Sequence, residues 1–378
     1  WGGYWAWDPV ENASFIPWLT ATAFIHSVVV QERRGMLKVW NVALIILTYT
    51  LTIIGTFLVR SGIITSVHAF GDAGLVTPLV VFMITVFLGS LLLIVWRMPL
   101  LRPDRKLKSI VSREGVFLIN NLILCLIALA TLTMTLWPVI TRFLFGEEGK
   151  HEFGQEAYVL VNLPLFLTLL VLTGIGPLLP YGKGSGRQVL RQMLFPLLLA
   201  GLAFALNAAI LLGGGHTLQV VSEGTTIDYL VSLLRIATQY ALPSICVLIV
   251  GSVIQEALLA GRLRQQSTKG SMIGAVAGAV FANRRRFGGY TCHIGLAIVA
   301  MGIYISSFYE IDTSAEIPVG GYALIGDSDE PLVFVADQVE DSSLYRDLQL
   351  RLYRERGAAM DPEVGQRLQE LETVLMLS

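Results

Sequence analysis

The chain is short of charge and short of cysteine, and both shortages narrow what it can be. Charged residues fill only 15% of its 378 positions while apolar ones fill 54%, at a mean hydropathy of +0.65. A soluble chain of this length needs more polar surface than that, so the composition describes a polytopic membrane protein. A net charge of -1, with Lys and Arg gathered in particular loops and not in a stripe, argues against nucleic acid as a partner. The three cysteines, Cys125, Cys246 and Cys292, lie singly in apolar stretches without CxxC spacing, which excludes dithiol chemistry and leaves inert buried thiols. The first residue is Trp, and no charged n-region or cleavage site precedes it, so residues upstream are expected.

What the chain does have is long apolar runs. A spanning helix needs about 20 mostly apolar residues, and eight stretches meet that need: 13-31, 38-60, 75-96, 115-138, 157-179, 192-212, 229-256 and 289-309. The first is interrupted by Pro17. Its helix is expected to start with Asp8 as N-cap, Pro9 at the first position and Glu11 closing a capping box.

If the chain crosses at each span, the loops after spans one, three, five and seven hold eighteen Lys and Arg residues, among them Arg33, Arg34, Arg97, Arg113, Arg262 and Arg284 to Arg286. The opposite loops hold Arg60, Arg142 and Lys150. Basic loops stay in the cytoplasm. The opening segment, the loops 61-73, 139-156 and 213-228, and everything after about 310 are therefore expected to face outward.

The last stretch changes character. Alternating patterns such as PLVFVAD (331-337) and YRDLQLRLYRE (345-355), set off by GG and GDSD, predict a small β-rich outward domain, with a short helix from Asp361-Pro362. The expected organisation is an aromatic segment at 1-12, an all-α bundle of about eight transmembrane helices at 13-310 and the β-rich domain at 311-378.

Only five histidines occur. His26 and His293 fall at similar depth near the cytoplasmic ends of spans one and eight. An ionisable side chain in a bilayer must be paired, buried in the bundle or bound to a metal. Two imidazoles on facing helices can ligate a haem iron from both sides, or each can make an interhelical hydrogen bond; depth alone leaves both readings open. His68 sits in an outward loop, where a solvated histidine is the simplest reading, and His151 and His216 read the same way.

The opening WGGYWAWDPVENASFIPWL puts Trp1, Tyr4, Trp5 and Trp7 around Gly2 and Gly3. Interfacial anchoring accounts for one or two such rings. More of them, beside glycines that allow close approach, also suit a shelf for a large planar ligand. Asp8, Glu11 and Asn12 then either cap the next helix or hold polar edges. Arg60, ending span two outside, either snorkels or pairs with a carboxylate such as a haem propionate. Arg235 lies deeper in span seven and needs an anionic partner.

These residues carry a resemblance. WGGYWAWDPVENASFIPWL is similar to the tryptophan-rich WWD segment of haem-handling proteins, in the long form of the CcmF haem lyase family of cytochrome c maturation and its relative in nitrite reductase maturation. The haem exporter of that pathway and the alternative synthase system carry different residues after the WD. The likeness continues through GTFLVRSGIITSVHAF and YTCHIGLAI, covering spans one, two and eight, and is weaker in spans three to seven.

The resemblance implies a haem in transit on the shelf formed by Trp1, Trp5, Trp7, Asp8, Glu11 and Asn12, with Arg60 nearby. It implies His68 as one axial ligand and catalytic residue, the other ligand lying before Trp1. It also implies a resident haem b held in the membrane by His26 and His293, and a further span after Ser378, so that the chain reads as shortened at both ends. The implied activity is haem attachment to apocytochrome c at the outer face of the bacterial cytoplasmic membrane. Haem comes from the chaperone CcmE, electrons from quinol through the membrane haem, and reduced CxxCH thiols from CcmH and CcmI; the lack of a CxxC pair here fits that division. A haem exporter would show a polar path through the spans, of which Arg235, Gln239 and Asn207 are the few signs. A quinol-oxidising electron-transfer subunit would need His26 and His293 but not Trp5, Trp7 or His68.

Overall fold

The computed structural model describes residues 5-61, 73-102, 109, 112-180, 182, 186-214, 225-268, 270-309, 322-325, 332-342 and 345-354. The chain divides into two compact units, Trp1–Phe308 and Tyr309–Ser378.

The first unit is helical. Its elements are α1 (Pro9–Arg34), α2 (Lys38–Arg60), α3 (Val76–Arg97), α4 (Arg113–Phe145), α5 (Gln155–Ile175), α6 (Gly186–Gly214), α7 (Thr226–Thr268), α8 (Met272–Ala282) and α9 (Arg284–Tyr309), joined in places by single 3-10 turns. Every one except α8 contains a stretch long and apolar enough to cross a membrane, eight in all among the described residues.

Local chemistry sets the first helix. Asp8 accepts from the Val10 N–H at 2.8 Å and Glu11 accepts from the Asp8 N–H at 3.1 Å, with Pro9 at the first position, which is the capping box the sequence predicts. Gly35 ends α1 in the left-handed conformation, its N–H donating to Gln31. Pro17 stays inside α1 without ending it. Pro17 has no N–H to offer the carbonyl of Ala13, and α2 approaches there so closely that a Cβ on Gly55 would lie 2.8 Å from that oxygen.

Two clusters form the core. Ile16, Leu19 and Ala23 of α1 pack with Leu44 and Leu51 of α2, Leu124 and Ile127 of α4, and Leu169 of α5. Leu242, Cys246 and Ile249 of α7 pack with Leu170 of α5 and Ala297 and Tyr304 of α9. A third, smaller cluster joins Val253 of α7 to Phe287 and Tyr290 of α9.

The structure corrects two expectations. The stretch from 257 to 288, expected as a basic loop, is largely helix: α7 runs to Thr268 and α8 packs back on it. The eleven residues of α8 are apolar but reach only about 16 Å at 1.5 Å per residue, too short to span.

The second correction concerns the fold class. The described residues establish an all-helical bundle with eight candidate spans, and a β-rich outward domain over 311-378 is not established. Among the described residues, strand is confined to Tyr322–Ile325, Leu332–Ser342 and Tyr345–Arg354, paired antiparallel in one sheet in sequence order, with a register shift between Ala336 and Gln338. Alternating apolar and polar residues specify a strand locally. A domain needs a second layer for the sheet to bury its face against, and none occurs among the described residues. The short helix expected from Asp361 lies outside them.

Candidate functional site

His26 on α1 and His293 on α9 face each other. Their ring centroids are 6.2 Å apart and their planes differ by 9°. The depth match follows from the helix ends: His26 precedes Arg34 by eight residues and His293 follows Arg285 by eight, about 12 Å along each axis. Arg285 pairs with Glu32 at 2.6 Å and ties those two ends together.

The hydrogen bonding of the pair is unequal. Nδ1 of His26 lies 2.8 Å from the Thr22 carbonyl, which can only accept, so this nitrogen carries the proton and Nε2 keeps its lone pair. Nδ1 of His293 is buried and has no hydrogen-bond partner. Phe117 of α4 flanks His26 at 5.9 Å between centroids, and Tyr290 flanks His293 at 6.5 Å.

This spacing suits ligation from both sides of one metal. Two bonds of about 2 Å put the ligating nitrogens roughly 4 Å apart, and the half-widths of the rings bring the centroids to about 6 Å. No group of three or more His, Cys, Asp or Glu converges among the described residues. A bare ion would therefore find too few protein ligands at this pair, whereas a macrocycle that brings four nitrogens of its own leaves two positions to fill. The Thr22 carbonyl gives His26 the kind of backbone acceptor that metal-ligating histidines commonly have.

Toward the basic helix ends the bundle holds two buried carboxylates that sequence reasoning missed. Glu114 of α4, its side chain 6% exposed, pairs with Arg34 at 2.8 Å and accepts from the Gly182 N–H at 2.9 Å. Glu256 of α7 pairs with Arg286, lies 4.0 Å from Arg113 and accepts from the Tyr290 hydroxyl at 3.5 Å. Arg113 donates to the carbonyls of Leu179 and Pro177. Glu256 closes the apolar run of span seven, where an acid has to be paired, whereas Glu114 stands beside Arg113 just before span four. Arg235 has the anionic partner the sequence demanded, Glu156 on α5 at 3.0 Å.

The aromatic segment is placed in part. Trp7 stacks on Tyr158 of α5 at 5.2 Å and 16°, and Trp5 meets Trp7 and Phe15 edge-on at 6.0 and 5.5 Å. Asp8 and Glu11 are used in the capping box. Asn12, fully buried, donates to the Trp7 carbonyl at 2.8 Å and to the Thr135 hydroxyl at 3.1 Å. These three residues thus hold the backbone that presents Trp5 and Trp7. Arg60 is the exposed last residue of α2. Trp1, Tyr4, His68 and His216 lie outside the described residues. His151 is exposed, its N–H bound to Thr141.

Known proteins match this chain at both levels. A family profile described as "Cytochrome C assembly protein" matches residues 1-65. The cytochrome c-type biogenesis protein CycK of Rhizobium meliloti is 34% identical over 333 residues, covering 86% of this chain and 44% of that one. CcmF of Pseudomonas aeruginosa is 34% identical over 334 residues, covering 86% and 46%. A solved structure, "Cytochrome c Heme Lyase CcmF", superposes with a TM-score of 0.57 at 26% identity, over 96% of this chain and 49% of that one. The chain spans less than half the length of the two curated relatives. The likeness runs through nearly all of this chain's own residues, and what it resembles in each comparison is a cytochrome c-type biogenesis protein of the CcmF kind.

Proposed function

We propose that the chain is the haem-handling part of a cytochrome c haem lyase, with a resident haem b between His26 and His293 and haem in transit at the aromatic segment. The observation that carries this is the near-parallel facing of the two imidazoles at 6.2 Å. A haem seated there supplies a one-electron carrier inside the bundle. The chain contributes the rest: Thr22 fixes the tautomer of His26, Phe117 and Tyr290 wall the pair, and the pairing of Arg285 with Glu32 sets the register.

At the aromatic segment the substrate haem lies against Trp5 and Trp7, with Trp1 contributing and His68 as an axial ligand. Asn12, Asp8 and Glu11 keep the segment in place, and Arg60 takes a propionate. Attachment adds a cysteine S–H of the apocytochrome CxxCH across a haem vinyl group, which requires ferrous haem and reduced thiols. Haem delivered by CcmE, thiols kept reduced through CcmH and CcmI, and quinol as electron donor complete the scheme. The basic residues on the loop side of His26 and His293 support an orientation with this end in the cytoplasm and the aromatic segment in the periplasm of the bacterial inner membrane.

Optical spectroscopy of the purified chain tests the central claim. A low-spin b-type spectrum is expected, and His26→Ala or His293→Ala should each remove the haem or convert it to high spin. Full haem content with an unchanged spectrum in either variant rejects the pair as ligands.

A further inference from the structure

We infer that Ser252 of α7 is the positioning residue for His293, its hydroxyl oxygen accepting a hydrogen bond from the Nδ1–H once Nε2 is engaged by iron. This rests on His293 being a ligand, as proposed above.

The facing of α7 and α9 places the two residues at one level. Glu256 meets Tyr290, and further along the Gln239 carbonyl accepts from the Tyr304 hydroxyl at 3.1 Å. The helices are therefore antiparallel here, and counting between those contacts sets His293 opposite Ser252. Packing agrees: Val253 clusters with Phe287 and Tyr290, with Ile294 against them, and Ile249 clusters with Ala297.

Both groups are left over. Ser252 is fully buried and its hydroxyl has no partner, unlike Ser244 on the same helix, whose hydroxyl donates to the Ala241 carbonyl. His293 Nδ1 is buried and has none either. A hydroxyl shut in an apolar bundle without a partner is costly, and so is an imidazole N–H. Joining them gives the imidazole N–H its acceptor and the hydroxyl oxygen a donor, and breaks no existing bond. It also gives His293 what His26 already has from Thr22, an acceptor that fixes which nitrogen faces the metal and raises the basicity of that nitrogen.

Ser252→Ala tests this, because it deletes the hydroxyl while nearly keeping the shape. In the haem-loaded chain, relative to the parent, the midpoint potential should rise, since a less basic ligand favours ferric iron less. Carbon monoxide should bind the ferrous form to a several-fold greater extent as His293 loosens. Ser252→Thr, which keeps the oxygen, should restore both. A structural role alone predicts lower thermal stability with potential and ligand binding unchanged. That result assigns the Nδ1 proton elsewhere, for example to the carbonyl of Gly289 one turn back, and overturns the inference. Haem retention in His293→Ala run alongside reports separately on the ligand assignment.

Discussion

The indole of Trp7 stacks on the phenol ring of Tyr158, 5.2 Å away and 16° from parallel, so α5 forms the back wall of the aromatic segment. An aromatic pair of this kind is worth about 0.5 to 1.5 kcal/mol beyond its buried area. Replacing Trp5 and Trp7 together by Leu should leave the protein in the membrane and weaken capture of haem from its carrier. Tyr158→Ala should reproduce part of that loss, roughly two- to tenfold in affinity. Haem transfer titrated from loaded carrier reads both; unaffected capture assigns these rings to membrane anchoring.

His68 should separate the two proposed haem sites. The sequence puts it in the loop after α2, on the side away from the basic helix ends, although it lies outside the described residues. His68→Ala is expected to abolish assembly of c-type cytochromes in cells and to leave the absorption of the membrane haem intact. Normal assembly in that variant removes His68 from the mechanism.

The pairing of Arg34 with Glu114 should matter far more than that of Lys150 with Glu152. Glu114 is 6% exposed at its side chain, whereas Glu152 is 59% exposed in the connection between α4 and α5. Glu114→Ala removes a buried carboxylate that pairs with Arg34 and accepts from the Gly182 N–H, at a cost of about 3 kcal/mol. Glu152→Ala should change stability by less than about 1 kcal/mol. Thermal unfolding in detergent compares them, and equal losses contradict the assignment.

Asn12 holds Trp7 through its backbone. Asn12→Ala removes the donor to the Trp7 carbonyl and to Thr135, worth about 1 to 3 kcal/mol at a fully buried site. Asn12→Asp keeps the size and places a carboxylate oxygen against the carbonyl, so it should do at least as much harm. Stability and haem capture should fall together in both variants; a loss of stability alone separates Asn12 from the shelf.

Much of this was legible in the sequence because it is local or because the membrane acts as a ruler. The capping box is carried by Asp8, Pro9 and Glu11 within four positions. His26 and His293 could be matched across most of the chain because each lies a fixed number of residues from a basic helix end. Pairings that depend on how two helices face each other were not legible. Glu114 and Glu256 gave no sign of which arginine would neutralise them, and Ser252 looked like any small helix residue. MIGAVAGAVFA gives no sign of its helix, because its flanking Arg and Lys residues describe a loop and its length rules out a span. The C-terminal alternation overstates the fold, since period-two patterning specifies strands and says nothing of a second layer to cover them.

The approach of Gly55 to the carbonyl of Ala13 joins two positions of the sequence into one unit of inheritance. Proline at 17 leaves an oxygen without its helical donor, and glycine at 55 lets a neighbouring backbone come so near that a Cβ would lie 2.8 Å from that oxygen. Neither change is neutral alone: a side chain at 55 meets the oxygen, and an N–H at 17 draws that oxygen back into its own helix. The two positions should therefore drift as a pair, and a double-mutant cycle across them should show strong coupling although their side chains share no polar contact.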